Sequence, residues 1–207
     1  MAAIAGYQAD LYMASGAGVT FTEEAMTDSG DHTIYTPTTT AHRYWDDTAT
    51  LLIEKSTDDG DNWSTVTNYT VDYVGGVVTF ASANGGTDLI RASGKYLAIS
   101  QVGQAFNWEL SPSADILDIT TFGDDWKVKR VGLHDATGKA SQYYLDGTFF
   151  ALLGSRFVMI FYPHFSAGER FEAYAYLKAN SIKSAVADAI GEDLDWEVDG
   201  KVFYRAS

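Results

Sequence analysis

The residue types that carry most protein chemistry are thinly spread in this chain. Its four histidines, His32, His42, His134 and His164, include no H-x-x-x-H pair. A metal site built on them would need distant segments to converge, and isolated histidines are more often surface or hydrogen-bonded structural residues. The sequence contains no cysteine, which excludes disulfides, zinc–thiolate centres and thiol catalysis. No G-x-S-x-G elbow is present, because Gly154-Ser155-Arg156 lacks the second glycine. Neither G-x-x-x-x-G-K nor a strand-bound G-x-G-x-x-G occurs. Neighbouring carboxylates stand at Asp46-Asp47, Asp58-Asp59, Asp124-Asp125 and Glu192-Asp193. Glycoside hydrolysis needs two acids facing each other across a pocket, and adjacent acids in a loop usually point to different sides. The expectation is a protein with no catalytic residue, no cofactor and no metal.

One local motif is sharper. Ser56-Thr57-Asp58-Asp59-Gly60-Asp61-Asn62-Trp63 fits S-x-D-x-G-x-x-W, the Asp-box turn best known from sialidase propellers. Ser56 and Asp58 are expected to bond turn amides, Gly60 to take positive φ, and Trp63 to pack beneath the turn. A propeller repeats such turns blade by blade, whereas this chain holds a single copy and is too short for six blades. The motif therefore reads as a structural hairpin tip. Calcium is a weaker reading of the same acids, since the EF-hand register and its distal glutamate are not met.

The elements that must position these residues are mostly strands. Thirteen Tyr, eleven Phe and five Trp fall in short runs with Thr and Val, punctuated by 19 Gly and only 3 Pro. Strands are predicted over 7–13, 50–55, 69–73, 77–80, 96–101, 106–110, 126–133, 157–162, 171–182, 194–198 and 202–204. Gly75-Gly76 and Asp199-Gly200 read as tight hairpin turns between their flanking strands. Two stretches have helical spacing: 142–153, with Tyr143, Gly147, Phe150 and Ala151 on one side, and 181–190, with Ile182, Ala185, Val186, Ala189 and Ile190 behind a Ser cap. The second is equally readable as a strand running into a loop.

Charge adds a second constraint. The 207 residues carry a formal charge of −14 with a pI near 4.4, which argues against wrapping nucleic acid in a basic groove. Residues 1–90 hold 13 acids against only Arg43 and Lys55, while 91–207 hold 15 acids against 12 bases. Such asymmetry suggests two structural units with different surfaces. At 46% hydrophobic and 14% aromatic residues the chain has the means for a packed core. The longest apolar run, 157–162, has strand length, so no membrane insertion is expected. The start lacks a basic n-region and a long apolar stretch, so no secretory signal is expected.

Read together, three blocks resemble the tail tube (major tail) proteins of long-tailed bacteriophages. The first is Gly6-Tyr7, then Phe21-Thr22-Glu23-Glu24-Ala25-Met26 and Ile34-Tyr35. The second is Arg43-Tyr44-Trp45-Asp46, Tyr69-Thr70-Val71-Asp72-Tyr73, Gly76-Val77-Val78-Thr79-Phe80 and Ala92-Ser93-Gly94-Lys95-Tyr96-Leu97. The third is Asp118-Ile119-Thr120-Thr121-Phe122-Gly123-Asp124, then Arg170-Phe171-Glu172-Ala173-Tyr174-Ala175 and Trp196-Glu197-Val198-Asp199-Gly200. The resemblance implies a mainly β fold, a β-sandwich or partly closed barrel with one flanking α-helix, carrying a β-hairpin-rich insertion. The core would be 1–30 and 91–207, and the inserted subdomain 31–90.

In that family six copies form a ring and rings stack into a hollow tube that conducts DNA, which leaves no free sheet edge. The implied partners are copies of the chain itself, tail-completion, tail-tip and tape-measure proteins, and DNA in non-specific transit. The implied location is the virion tail, after assembly in the host cytoplasm. In the family the loop between two early core strands reaches neighbouring subunits. Residues 111–125 take that place here, so Ile116, Leu117, Ile119 and Phe122 are expected at an inter-subunit interface. A β-meander corner within one chain is the alternative. Polar positions of 96–110, namely Ser100, Gln104, Asn107 and Glu109, are the candidates for facing the bore, where negative or neutral charge repels phosphate. A different function class is an adhesion or carbohydrate-binding β-sandwich, with Trp45, Trp63 and Tyr69 stacking on sugars; core packing is the competing role for those aromatics.

Overall fold

The computed structural model describes residues 10–102, 105–123, 125–184 and 189–206. The chain is mainly β, 60% strand and 5% helical, with two antiparallel sheets, one of them curled into a half-barrel. It divides into two compact units: Met1–Leu11 with Val102–Arg156 and Phe161–Ser207, and Tyr12–Gln101 with Phe157–Ile160.

In the unit built on Tyr12–Gln101, β1 (Asp10–Ala14) pairs with a short later strand. It is followed by β2 (Val19–Asp28), β3 (Ile34–Pro37), β4 (Leu52–Ser56), β5 (Ser64–Thr65), β6 (Tyr69–Asp72), β7 (Val77–Phe80), β8 (Leu89–Tyr96) and that short strand, β9 (Ile99–Gln101). β2 to β8 form one antiparallel sheet in the order β5-β4-β8-β2-β3-β7-β6. In the β1–β9 pair Tyr12 lies opposite Gln101 and Ala14 opposite Ile99. Phe21, Met26, Tyr35, Trp45, Ile53, Val78, Phe80, Ile90 and Ala92 make a buried cluster. Its rings are arranged pairwise, Phe21 stacked on Trp45 at 5.8 Å and Tyr35 edge-on to Phe80 at 5.6 Å. β2 lies wholly before residue 31 and β8 runs past residue 90, so strands from 31–90 share their sheet with both.

Two local expectations change here. Gly75-Gly76 lies in a hairpin turn, but the ladder closes at Asp72 opposite Val77, so the loop holds four residues instead of two. Gly76 has φ +62, and a Cβ there would sit 2.8 Å from the Arg43 carbonyl oxygen. Close approach, as much as turn type, demands glycine at that point. The strand read over 96–101 is split between the end of β8 and β9, with Leu97 donating its N–H to the Tyr44 carbonyl instead.

The other unit carries β10 (Ala105–Asp118), β11 (Lys129–Tyr143), α1 (Thr148–Ala151), β12 (Arg156–His164), β13 (Glu169–Lys183) and β14 (Gly191–Arg205). The strands run in the order β10-β11-β14-β13-β12. Its inner face alternates small and large residues. Ala136 and Ala140 are buried on β11 beside Gly138, and Leu194 and Trp196 are buried on β14. Gly138 lies opposite Trp196; a Cβ there would fall 1.8 Å from the indole nitrogen, so the indole fills the space that the glycine leaves. Phe161 lies 5.8 Å from Trp196 and 5.1 Å from Trp108. The same face buries two glutamates. Glu172 is met by Arg170 and, at 3.1 Å, by Arg205. Glu192 accepts from the side-chain amides of Gln142 at 2.5 Å and Asn180 at 2.8 Å.

The ladder overrules three readings in this unit. The flanking helix expected over 142–153 shrinks to α1, a single turn. Gln142 and Tyr143 end β11, opposite Glu192 and Gly191, and Asp146 bonds the Thr148 amide at 2.9 Å to start the turn. Helical spacing over 181–190 gives way at its start, where Ser181, Ile182 and Lys183 complete β13 against Asp193, Glu192 and Gly191. Ala185 and Val186 lie outside the described residues, and Ala189 and Ile190 are not helical. Asp199-Gly200 is not a hairpin. Both halves of β14 pair with the same β13, Asp199 opposite Tyr174 and Phe203 opposite Glu172. The extra residues form a bulge in which Gly200 takes φ +87.

Candidate assembly surface

The surface begins with the pairing of β10 and β11. The strand read over 106–110 continues through the predicted loop, so that 111–118 and 129–137 form a two-stranded arm. Ser111 faces Thr137, Ala114 faces His134 and Ile116 faces Val131, with a register shift between Ala114 and Ile116. Pro112 is tolerated because β10 is the end strand of this order, where no outward ladder bond is lost. At the tip, Asp118 accepts the Thr120 amide at 3.0 Å, and the Thr120 hydroxyl accepts the Val128 amide at 3.0 Å. The Thr120 hydroxyl and amide hold the Asp118 carboxyl below its ordinary range.

This ordered arm is covered with unburied apolar side chains. Ile116, Leu117, Ile119 and Phe122, the four candidates for an interface, are all exposed in the single chain, Phe122 completely. Trp126, Val128, Val131 and Leu133, on the second side of the arm, are exposed as well, Trp126 86% and Leu133 81%. These four were not singled out from the sequence, although the run Trp126-Lys127-Val128-Lys129 announces an alternating strand. Ile116 faces Val131 across the ladder, while Leu117, the next residue, points to the opposite face. Exposed apolar side chains gathered on one ordered element are unfavourable in water. Burying each side chain contributes about 2 kcal/mol. Several of the eight are already half covered in the single chain, so burying what remains exposed supplies on the order of 10 kcal/mol, comparable with the roughly 4–15 kcal/mol that association costs.

The outer face of the same sheet is polar. Asn107 and Glu109, two of the candidates for facing a bore, lie opposite Ser141 and Lys139. They share a shallow cavity of about 350 Å³ with Ser181, Lys183, Asp193 and Asp195. Charges on this face are interleaved: Lys139 lies 3.7 Å from Asp195, Lys178 3.2 Å from Glu197, and Lys183 contacts Asp193. Ser100 belongs to β9 in the other unit, where its hydroxyl reaches the Met13 carbonyl at 3.4 Å. Gln104 lies outside the described residues.

The Asp-box segment forms a closed turn between β4 and β5. The buried Ser56 hydroxyl donates to Asp58 at 2.7 Å and accepts the Gly60 amide at 2.9 Å. Asp58 also accepts the Asn62 side-chain amide at 2.7 Å and its backbone amide at 2.9 Å. These bonds, the Asn62 side chain first, hold the Asp58 carboxyl down at about 2. Gly60 has φ +94, and its carbonyl accepts the Trp63 indole N–H at 3.0 Å. The Arg91 guanidinium lies over the indole at 4.2 Å. Of the other two aromatics considered for sugar stacking, Trp45 is wholly buried in the core, and Tyr69 packs on Phe80 at 6.0 Å.

Among the described residues no group of three or more His, Asp or Glu side chains is placed to hold a metal ion, and no helix is long and apolar enough to cross a membrane. No protein-family model matches the chain, and no curated protein matches it significantly.

Proposed function

We propose that the chain is a structural virion protein whose copies form hexameric rings, and that the rings stack into the tail tube of a long-tailed bacteriophage, the conduit for DNA. The observation that carries this reading is the β10–β11 arm, whose eight large apolar side chains need a covering surface. A neighbouring copy supplies it. In a ring, the unpaired side of β10 is covered as well, which removes the hazard of a fourteen-residue exposed edge. The polar face of β10, β11, β14 and β13 then lines the bore. Four carboxylates, Glu109, Asp193, Asp195 and Glu197, stand there against Lys139, Lys178 and Lys183, mostly in pairs. A lining so nearly neutral offers phosphate no run of bases to bind, so DNA slides without being held. Catalysis has no part in this role. Tail-completion, tail-tip and tape-measure proteins are the partners it calls for at the tube ends and within the bore.

Sedimentation of the purified protein beside the triple variant I116S/L117S/F122S tests the reading. The wild type is expected to sediment as rings or tubes. The variant should sediment as a folded monomer with an unchanged circular dichroism spectrum, since none of the three side chains is buried within its own chain. A wild-type monomer, or a variant that assembles equally well, would count against it.

A further inference from the structure

A second surface lies in the Tyr12–Gln101 unit, and the tube assignment does not use it. A cavity of about 380 Å³ opens there, within the size range of small-ligand sites. Met26 and Ile90, both largely buried, give it apolar walls. Trp63 and Arg91 line it as the stacked pair described above. Its acidic groups are Glu23, Asp28 and Asp88, with Tyr35 beside them; Asp28 is already engaged by the His32 ring and by the Gly30 and His32 amides.

The ionic bonding around the cavity determines what it will accept. Arg91 is already neutralised twice, by Glu23 at 2.9 Å and Glu54 at 2.8 Å. Asp88 spends one oxygen on Lys55 at 2.9 Å and on the Gly85 amide at 2.8 Å. Its other oxygen accepts no hydrogen bond among the described residues. Glu23 is 64% exposed at the side chain. It sits at a bulge in β2 with φ +54, its amide tied to the Ser93 hydroxyl at 2.9 Å, so it leaves the ladder and stands at the cavity. The lining thus combines apolar walls with spare carboxylate oxygens, in a unit whose acids far outnumber its bases. Phosphate and acidic sugars are repelled. A neutral sugar finds the indole already engaged, one face under Arg91 and the N–H on Gly60. A lysine or arginine side chain fits both halves, its aliphatic stem against Met26 and Ile90 and its charged head on Glu23 and Asp88.

We propose that this cavity is a recognition pocket for a basic side chain, through which the unit docks a basic segment of another protein. Titration calorimetry on the full-length protein tests it, using a twelve-residue peptide of alternating lysine and glycine, its glutamate counterpart, and maltotriose. The lysine peptide should bind saturably and the other two should not. Glu23→Gln should weaken binding about tenfold, the size of one lost charge-assisted hydrogen bond. Asp59→Asn, the same charge change at the exposed Asp-box tip, should alter it by less than about twofold. Equal losses in both variants would mean diffuse attraction to an acidic surface and would overturn the proposal. So would the absence of saturable binding, or binding of maltotriose in place of the peptide. None of these outcomes bears on tube formation, which is read separately by sedimentation.

Discussion

At the scale of single residues, the clearest connection between sequence and structure is the turn from Ser56 to Trp63. The spacing alone named the four residues that close it, because each role needs one kind of side chain: a hydroxyl, a carboxylate, a residue free to take positive φ, and an indole. The carboxyl of Asp58 sits at about 2, below its ordinary 3.8. A lowered carboxylate stabilises the fold above the unfolded value, and the contribution is lost as pH falls through the folded value. The turn is therefore expected to hold above pH 4 and to open as pH falls through about 2, seen as loss of the Trp63 indole N–H resonance in acid. Asp58→Ala should remove that resonance's protection at neutral pH. Gly138 has a different role, one that the sequence does not reveal, since its need appears only when Trp196 lies across it. Gly138→Ala should cost about 3 kcal/mol by overpacking. Gly147→Ala, where a Cβ meets nothing within 4 Å, should change stability by less than about 1 kcal/mol. Urea unfolding of the two variants checks both numbers.

At the scale of elements, the strands with strong alternation or continuous apolar character were readable: β12, β13, β7 and the start of β10 lie close to where the pattern puts them. What was not readable depends on partners distant in sequence. The arm is one case, since Ser111-Pro112-Ser113-Ala114 has weak strand propensity and becomes strand only because Thr137 to His134 pair with it. The helix over 142–153 is the reverse. Its spacing is helical, but Gln142 bonds Glu192 across the ladder and the periodicity loses. Asp199-Gly200 has a turn sequence and yet lies within one strand, because both flanks find the same partner. β1 and β9 give a further test. Ala14 lies opposite Ile99, so excising 15–98 and joining these two residues through a tight turn should keep the remaining pairing intact. That shortened protein is expected to assemble as the full chain does, as judged by sedimentation. Failure of a soluble, folded version to assemble would assign the excised strands a part in the ring. Removing only 31–90 would strand β2 and the end of β8 without their neighbours.

At the scale of the whole molecule, the charge of −14 is first a statement about where the acid lies. Most of the net charge belongs to the first 90 residues, where 13 acids meet only two bases, while the polar face of β10, β11, β14 and β13 alternates carboxylates with lysines. A conduit reading rests on that local balance, not on the pI. The arm is the larger argument, for a single chain in water gains nothing from eight exposed apolar side chains on an ordered hairpin, and a neighbour that covers them repays assembly. Electron microscopy of the purified full-length protein tests this most directly. The account predicts stacked rings of six-fold symmetry around an open bore, with Phe122, Trp126 and Leu133 buried between copies. Dispersed monomers under assembly conditions, or particles in which the β10–β11 arm remains bare, would contradict it.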